Sequence, residues 1–390
     1  MSEIRVNSIG NETNTGGPVL SGITTFSGQK YFIPPKGTTA ERSSNCPPGS
    51  IRFNTDTAHL EYWNGLVWLE FEASSEELGD QNNTNSSGGT GTRGLIAGGI
   101  LNAPGYTNAI NYISISTLGN SQDFGDLTSG MFTGGAFASS TRCVWGGGYS
   151  SVGKLNVIQY VTISSTGDAV DFGDQSVHGS SGRTGCGGLS NSTRGLFLSG
   201  QNSPGSPYFT AGISYVTIAS TGNDIDFGDS HEASNVIQGM ASLVRGVYQH
   251  GNNPRPISYV TISTQGNALD FGDLAANIGS VSAASNSVRG IFGGGYINNR
   301  IEYVTIASTG NAQDFGDLTV ARFESVGMSS PTRAVFGAGT NSPNSPLNIN
   351  TMDYVEIMTT GNAIEFGDVT YGTSGSGRHP KGCSNGHGGL

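Results

Sequence analysis

The chain has 390 residues, of which 62 are glycine and only 12% are charged, and its formal net charge is -11. Glycine at this level without a three-residue period excludes collagen, and the alternating Val, Ile, Tyr and Phe segments between the glycines argue against disorder. The negative charge would repel a nucleic-acid backbone, and nowhere do about 18 apolar residues run together, so neither nucleic acid nor a membrane span is expected.

Residues 1–73 predict a small N-terminal β module. Its predicted strands are Ile51–Asn54, His59–Trp63 and residues 66–71. The dipeptide Asn64-Gly65 between the last two is typical of a type I′ hairpin turn. A three-stranded sheet is too small to cover its own aromatic side chains, so the module is expected to dock into a larger assembly or to form a homo-oligomer such as a trimer. Those side chains are Tyr62, Trp63, Trp68 and Phe71.

Residues 74–91 are dominated by Ser, Asn, Gly and Thr and predict a flexible linker. Two interpretations remain open for it. It is either a tether that holds the following domain away from an anchor, or a simple connection between two domains.

One sequence, Tyr-Val-Thr-Ile-x-Ser-Thr-Gly-Asn-Ala-x-Asp-Phe-Gly-Asp in its commonest form, recurs six times after residue 91. The tyrosines of the six copies are Tyr112, Tyr160, Tyr215, Tyr259, Tyr303 and Tyr354. The phenylalanines are Phe124, Phe172, Phe227, Phe271, Phe315 and Phe366. Tyrosine and phenylalanine are 12 residues apart in every copy, whereas the copies themselves are 44 to 55 residues apart. The segment is therefore expected to be one rigid β-hairpin with a Gly-Asn turn.

Two more strands are predicted before each hairpin. One begins at an arginine and ends on small residues, and a Gly/Ser-rich strand precedes it. The arginines are Arg93, Arg142, Arg194, Arg245, Arg289 and Arg333. Repeats of four strands and roughly 40 to 50 residues are the signature of propeller blades. The fold class predicted for residues 92–390 is therefore an all-β, six-bladed β-propeller.

The order of these strands resembles the kelch repeat, although Phe stands where kelch repeats usually have Trp. The resemblance implies an architecture and is a weak guide to function. The first repeat lacks its first strand, and residues 378–390 match that strand by pattern, as residues 183–189 do. The C-terminal segment is therefore expected to complete the first blade and to close the propeller.

The repeat also carries a second acidic residue, which follows Phe-Gly in every copy. These residues are Asp126, Asp174, Asp229, Asp273, Asp317 and Asp368. The repeated arginine is expected either to pair with an acid or to cap carbonyl groups within or between blades. Calcium binding by the paired carboxylates is the alternative.

Catalytic and metal-binding motifs are missing from the sequence. The six histidines have no HxxxH or HExxH spacing, so we expect no metal site, no cofactor and no enzymatic activity. Cys46, Cys143, Cys186 and Cys383 have no paired spacing, so no disulfide and a reducing site of synthesis are expected. A glycosidase-type carboxylate pair assembled from different blades remains an alternative.

The longest and most variable loops are predicted to emerge on one face of the propeller. They carry Tyr and Asn, residues suited to contact with sugars or protein surfaces, and loops on rigid scaffolds commonly carry recognition. The alternative is neutral variation in loop sequence. The candidate recognition residues are Tyr106, Tyr149, Tyr208, Tyr296 and Asn341.

The N-terminal segment resembles attachment regions of virion structural and tail-fibre proteins of tailed phages, particularly those that infect marine cyanobacteria. The resemblance rests on Ile4-Arg-Val-Asn-Ser-Ile, Gly17-Pro-Val-Leu-Ser-Gly, Pro47-Pro-Gly-Ser-Ile-Arg-Phe-Asn and Leu60-Glu-Tyr-Trp-Asn-Gly. It implies a virion protein made in the host cytoplasm, bound to other virion proteins through residues 1–73. The propeller would then contact a glycan or protein of the host surface. The alternatives are a glycan hydrolase acting on the host envelope and a purely architectural decoration protein.

Overall fold

The structure is a computed structural model of the whole chain. It describes residues 34–43, 45–57, 59–70, 92–101, 105–178, 182–202, 208–235, 238–251, 255–341, 348–370 and 379–390. The chain divides into two compact units, Met1–Glu76 and Glu77–Leu390. The predicted linker at 74–91 and Phe71 lie outside the described residues.

The described part of the first unit is a sheet of four strands. The strands are β1 (Lys36–Gly37), β2 (Ile51–Asn54), β3 (His59–Trp63) and β4 (Trp68–Glu70), with a 3-10 turn at Thr39–Glu41. They lie in the order β1-β2-β3-β4, and β1 is parallel to β2 while the other pairs are antiparallel. The sequence predicted β2, β3 and β4 but missed β1, because a strand of two residues carries no alternation. Trp63 and Trp68 pack against each other across β3 and β4, with ring centroids 5.7 Å apart.

The turn between β3 and β4 is longer than predicted. It has four residues, and the side-chain oxygen of Asn64 accepts hydrogen bonds from the N–H groups of Leu66 and Val67, both at 2.8 Å. A type I′ turn needs a positive φ at both central residues, but only Gly65 has one, at +102°. The type I′ prediction is therefore wrong, because the amide of Asn64 stabilises a wider loop.

Glu61 of β3 is the buried charge of this unit. Its side chain is fully buried and accepts hydrogen bonds from Arg42 and from Asn54, while Arg52 lies 3.3 Å from its other oxygen. The hydrogen bond from Arg42 is the main reason that the pKa of Glu61 is lowered, and Asn54 and the charge of Arg52 act in the same direction. Two arginines thus hold the three segments around β3 together.

The second unit is built from β-strands. In chain order they are β5 (Arg93–Ala97), β6 (Ile100–Leu101), β7 (Gly105–Tyr106), β8 (Ala109–Ser114), β9 (Gln122–Asp126), β10 (Gly135–Ala138), β11 (Arg142–Gly146), β12 (Tyr149–Ser150), β13 (Gly153–Lys154), β14 (Val157–Thr162), β15 (Val170–Asp174), β16 (Gly187–Ser190), β17 (Arg194–Gly200) and β18 (Thr210–Thr217). They continue with β19 (Ile225–Asp229), β20 (Gly239–Ala241), β21 (Arg245–Gln249), β22 (Pro256–Thr261), β23 (Leu269–Asp273), β24 (Ser282–Ser285), β25 (Arg289–Gly293), β26 (Arg300–Thr305), β27 (Gln313–Asp317), β28 (Val326–Ser329), β29 (Arg333–Gly337), β30 (Thr351–Glu356), β31 (Ile364–Asp368) and β32 (Lys381–Ser384).

Twenty-four of these 28 strands form six antiparallel sheets of four strands each, in the order that the repeat predicts, and the other four form the two-stranded sheets β6-β7 and β12-β13. Sheet 1 is β32-β5-β8-β9, sheet 2 is β10-β11-β14-β15, sheet 3 is β16-β17-β18-β19, sheet 4 is β20-β21-β22-β23, sheet 5 is β24-β25-β26-β27 and sheet 6 is β28-β29-β30-β31. In every sheet the first strand is the small-residue strand and the fourth carries Asp-Phe-Gly-Asp or its variant Glu-Phe-Gly-Asp. The all-β prediction with four strands per repeat is confirmed.

The C-terminal segment supplies the first strand of sheet 1. Strand β32 pairs with β5, and Cys383 lies opposite Leu95. The first strands of all six sheets contact one another in order, and β32 also contacts β10 of sheet 2. The segment therefore completes sheet 1, as its sequence pattern predicted.

Neighbouring sheets are joined by one hydrogen bond that repeats at every junction. The glycine N–H in the turn of one sheet donates to the carbonyl of the phenylalanine in the sheet before it. The six bonds are Gly119 to Phe366, Gly167 to Phe124, Gly222 to Phe172, Gly266 to Phe227, Gly310 to Phe271 and Gly361 to Phe315, all between 2.7 and 2.9 Å. Sheet 1 is thus bonded to sheet 6 in the same way as every other pair.

The glycine after each phenylalanine makes this contact possible. In sheet 5, Gly316 lies in a bulge with φ near +150°, and a Cβ there would be 2.3 Å from the carbonyl oxygen of Gly361 in sheet 6. A side chain would therefore push the next sheet away, and only glycine lets the two backbones approach so closely.

A disulfide joins Cys143 of β11 to Cys383 of β32, with the two Cα atoms 6.4 Å apart. The prediction of no disulfide is wrong for this pair. The two cysteines are 240 residues apart in sequence, and they meet because β32 lies in sheet 1, next to sheet 2. Cys46 and Cys186 are free.

We expect Glu61→Gln to destabilise the first unit at neutral pH by about 3 kcal/mol, because it leaves two arginines facing a neutral group. The pKa of Glu61 is lowered, so the carboxylate stabilises the unit above its ordinary pKa of 4.5, and this contribution is lost as the pH falls through the lowered value. Urea unfolding followed by tryptophan fluorescence at pH 7 and pH 3 should show a difference from the native chain that shrinks at pH 3. Glu70→Gln, at a half-exposed position, is the control, and an equal loss in both variants would contradict the prediction.

We expect Cys383→Ser to lower the unfolding free energy of the second unit by about 3 to 5 kcal/mol under oxidising conditions, because the disulfide closes a very long loop. Thermal unfolding with and without reductant measures this change. Reductant should destabilise the native chain and the Cys46→Ser control equally and should leave Cys383→Ser unchanged. A native chain that is insensitive to reductant would count against a stabilising disulfide.

Candidate functional site at the loop end of the sheets

The six sheets have two different ends. The turns between first and second strands and between third and fourth strands lie at one end, which we call the turn end. The connections between second and third strands, and those from one sheet to the next, lie at the other, which we call the loop end, because antiparallel strands alternate in direction. Thr92, the first described residue of the second unit, precedes β5 at the turn end.

The repeated arginines are structural residues at the turn end. Each guanidinium carbon lies 4.2 to 4.9 Å from the ring centre of the tyrosine in its own sheet. Each also donates a hydrogen bond to a carbonyl of the next sheet. The pairs are Arg93 with Ile163, Arg142 with Ile218, Arg194 with Ile262, Arg245 with Ile306, Arg289 with Ile357 and Arg333 with Ser116. Of the two predicted roles, capping of carbonyls between sheets is therefore the one observed. Within the part of the chain that the structure describes, Arg333 alone of the six also contacts an acid, Glu356 at 2.8 Å.

The repeated second acid is structural through its backbone. Its N–H donates to a side-chain oxygen in the turn of the next sheet, at 2.9 to 3.1 Å. The pairs are Asp126 with Asp168, Asp174 with Asn223, Asp229 with Asn267, Asp273 with Asn311, Asp317 with Asn362 and Asp368 with Asn120. Among the described residues, no three His, Cys, Asp or Glu side chains lie close enough together to hold a metal ion. The constant residues of the repeat thus account for the contacts between sheets.

The predicted recognition residues lie at the loop end, and the structure brings some of them together. Tyr208 and Tyr296 are about half exposed, Tyr149 somewhat less, and Tyr106 and Asn341 are partly buried. Tyr106 and Tyr149 meet around Phe132. Tyr296 packs on Phe323 at 5.2 Å, and Tyr208 contacts no other described aromatic ring.

Phe132 is the centre of the first aromatic cluster. Its ring is stacked on Tyr106 at 5.0 Å and meets the edge of Tyr149 at 5.7 Å. Backbone hydrogen bonds of 2.9 and 3.0 Å link Phe132 and Tyr149 in both directions. The cluster joins loops of sheets 1 and 2, so its position is set by the contact between the sheets.

The side chains of Glu324 and His379 lie in close contact beside this cluster, and we call them the polar pair. His379 Nε2 lies 2.7 Å from Glu324 Oε2, each side chain is 18% exposed, and the N–H of His379 donates to the carbonyl of Glu324. Both residues have φ of 57°, a left-handed conformation that costs a residue with a side chain about 1 to 3 kcal/mol and is concentrated at functional sites. They occupy the same position, two residues before the first strand of sheets 6 and 1. Thr133 and Ser280 have the same conformation at that position in sheets 2 and 5.

The polar pair contacts the first aromatic cluster and is next to the second in sequence. Phe132 contacts the ring of His379 at 5.7 Å, and Phe323 directly precedes Glu324 in the chain. We call this set the loop-end strip. It consists of Tyr106, Tyr149, Phe132, His379, Glu324, Phe323 and Tyr296. Sequence analysis found its three tyrosines and missed the polar pair, since Glu324 and His379 are 55 residues apart in sequence and carry no motif.

Two polar side chains lie near the first strands of sheets 6 and 1, namely Gln238, which is partly buried, and Lys381, which is buried. Gln238 of sheet 4 reaches past sheet 5, where its amide pairs with the backbone N–H and carbonyl of Gly327 in sheet 6 at 2.8 and 2.6 Å. Burial lowers the pKa of Lys381 to about 8, while Glu324 and Cys186 act in the opposite direction. The region between the first strands is thus partly closed at the loop end by polar side chains.

The opposite end of that region is covered by the C-terminal tail. A cavity lies between the first strands of all six sheets and extends from Gln238 to His387. His387 Nε2 lies 2.9 Å from the carbonyl of Ala138, and Gly388 donates to the carbonyl of Ser285. Burial lowers the pKa of His387, which favours the neutral ring. Small side chains such as Ala138 and Ser285 line the cavity, so it offers little to fix a ligand.

Comparison with known proteins adds no assignment: no protein-family model and no curated protein matches the chain. None of the helices in the described residues is long and apolar enough to cross a membrane. The roles given above therefore rest on the geometry of this chain.

We expect Arg289→Ala to destabilise the second unit by about 1 to 3 kcal/mol, because the variant loses both the contact with Tyr303 and the hydrogen bond to the Ile357 carbonyl. Asp273→Asn keeps the backbone N–H that bonds Asn311, so its change should stay within about 0.5 kcal/mol. Denaturant unfolding of both variants measures the two effects. A large loss in Asp273→Asn would show that the carboxylate matters and would favour pairing with the arginine.

Proposed function

We propose that the chain is a structural protein of a tailed-phage virion, as a fibre, baseplate or capsid-surface component. Residues 1–73 anchor it to other virion proteins, and self-association into an oligomer such as a trimer would cover the exposed apolar side chains of that unit. The second unit presents its loop end for contact with a host-cell surface or a neighbouring virion protein. Support comes from the resemblance of the N-terminal motifs to phage attachment regions.

The second unit is, in this proposal, a six-bladed, kelch-like β-propeller. Two kinds of contact support this assignment, because both link sheet 6 to sheet 1 just as they link every other pair. They are the bond from Gly119 to Phe366 and the bond from Arg333 to Ser116. A row of stacked sheets with two free ends would leave its first and last sheets unbonded to each other.

The observation that carries the proposed function is a division between the turn end and the loop end of the sheets, which hold different kinds of residue. The repeated residues are occupied by contacts between sheets, whereas exposed tyrosines and the polar pair lie at the loop end. That end is opposite to Thr92, where the chain enters the sheets. Such a division suits a scaffold that is anchored at one end and recognises a surface at the other.

No observation favours the alternative of a glycan hydrolase. A glycosidase needs two carboxyl groups about 5 to 9.5 Å apart on either side of the bond that is cleaved. Among the described residues, the carboxylate of Glu324 is in contact with His379. Asp353 of sheet 6 is fully buried and bound by Arg322 at 2.8 Å, so it is not available to a substrate.

The proposed function is tested on particles that carry the double variant Tyr149→Ser, Tyr296→Ser. The expected result is normal assembly and at least a 10-fold lower rate constant of host adsorption, because both side chains are exposed at the loop end. Particles with Leu118→Ser, an exposed residue at the turn end, are the control.

Normal adsorption of fragile double-variant particles would point to a purely architectural protein and overturn the recognition role. Mass spectrometry of purified particles provides the broader test. If the protein is absent from them, the virion assignment fails.

A further inference from the structure

We propose that the loop-end strip is a binding site for a terminal neutral hexopyranose, the sugar unit at the exposed end of a surface glycan. This inference rests on the proposed function, since it names the ligand class for the same surface. It follows from three features of the strip: a polar pair that suits hydroxyl groups, aromatic rings beside that pair, and the sign of the charge.

The polar pair suits a sugar because it offers both kinds of hydrogen-bonding group at one point. The carboxylate of Glu324 can accept hydrogen bonds through Oε1, since Oε2 is buried against His379, and the imidazole of His379 can donate or accept. The left-handed backbone at both residues and the 2.7 Å contact hold the pair in place, so binding would not have to order it. Adjacent hydroxyls of a pyranose ring present matching donors and acceptors at similar spacing.

Aromatic rings lie on the His379 side of the pair. Phe132 touches His379 and packs against Tyr149, which is exposed. The apolar C–H face of a pyranose packs well on aromatic rings, and tyrosine adds a hydroxyl at its tip. A ligand bound at the polar pair therefore has an aromatic contact available beside His379.

The charge of the chain selects among sugars. The net charge is -11, and Glu324 adds a carboxylate at the site itself. An acidic sugar such as a uronate or a sialate would meet repulsion both at a distance and in contact. Lys381 is buried, so it does not present a cation to a ligand at the surface. A neutral hexose is the class that these features fit best.

The test uses the full chain and four probes, the methyl glycosides of glucose, galactose, mannose and N-acetylglucosamine. Saturation-transfer NMR identifies any probe that binds, and calorimetry measures its dissociation constant. We expect Glu324→Gln to weaken binding about 10-fold or more, as for the loss of a hydrogen bond to a charged group. Tyr149→Ala should weaken it about 3- to 10-fold, through lost stacking.

Glu365→Gln is the matched control. Glu365 is an exposed acid on β31 of the same sheet 6, so this variant makes the same change of charge away from the strip. Its dissociation constant should stay within about twofold of the native value. Thermal unfolding of each variant reports on folding, and exposed Tyr149 provides a second variant that is independent of the polar pair.

Several results would overturn the proposal. They are no saturation transfer to any of the four glycosides, stronger binding of sialyllactose than of the neutral probes, equal losses in Glu324→Gln and Glu365→Gln, and release of reducing sugar from a bound oligosaccharide. If the Tyr149, Tyr296 double variant loses adsorption but no glycoside binds, the recognition function stands and the sugar site fails. If glycosides bind but the protein is absent from particles, the site stands and the virion function fails.

Discussion

The glycine N–H in the turn of each sheet donates to the phenylalanine carbonyl of the sheet before it, and this bond occurs at all six junctions. It explains why the interval from tyrosine to phenylalanine is constant. The phenylalanine ring must meet the edge of the tyrosine in its own sheet, at 5.7 to 6.1 Å, while its carbonyl reaches the next sheet. An inserted residue would break one contact or the other. Insertions are therefore confined to the connections outside the hairpin, most of which lie at the loop end.

The same junction explains much of the acidity of the chain. The outermost strand of each sheet would otherwise present an open edge to other chains, and charged residues with a bulge are a common protection against such pairing. Here the bulge glycine and the turn of the next sheet cover part of the edge, and exposed acids occupy the rest. Asp123, Asp171 and Asp226 are examples in sheets 1 to 3. Protection of the outermost strands thus explains this negative charge without any role in binding.

Sequence alone predicted the features that repeat and missed those that occur once. The four strands of each sheet, the arginine position and the contribution of residues near Cys383 to sheet 1 follow from patterns present six times. The wide turn at Asn64, the disulfide and the buried Glu61 depend on contacts that have no counterpart elsewhere in the chain. The pair of Glu324 and His379 belongs to the same class, because it exists only where sheets 6 and 1 meet. The spacing of residues along the sequence cannot predict a contact between two residues that only the tertiary structure brings together.

Sheet 1 takes its first strand from the other end of the repeat region, and Arg93 is bonded to Asn385, 292 residues further along the chain. During translation, β5, β8 and β9 leave the ribosome long before β32 exists. Until β32 is made, one edge of sheet 1 has no partner strand. Sheets 2 to 6 can already fold during that time, since domains form as their segments emerge. Contacts over such a sequence distance form slowly, because a long loop has to close first. The loop-end strip, part of which lies on sheets 1 and 6, therefore forms late in folding, when all six sheets are in place.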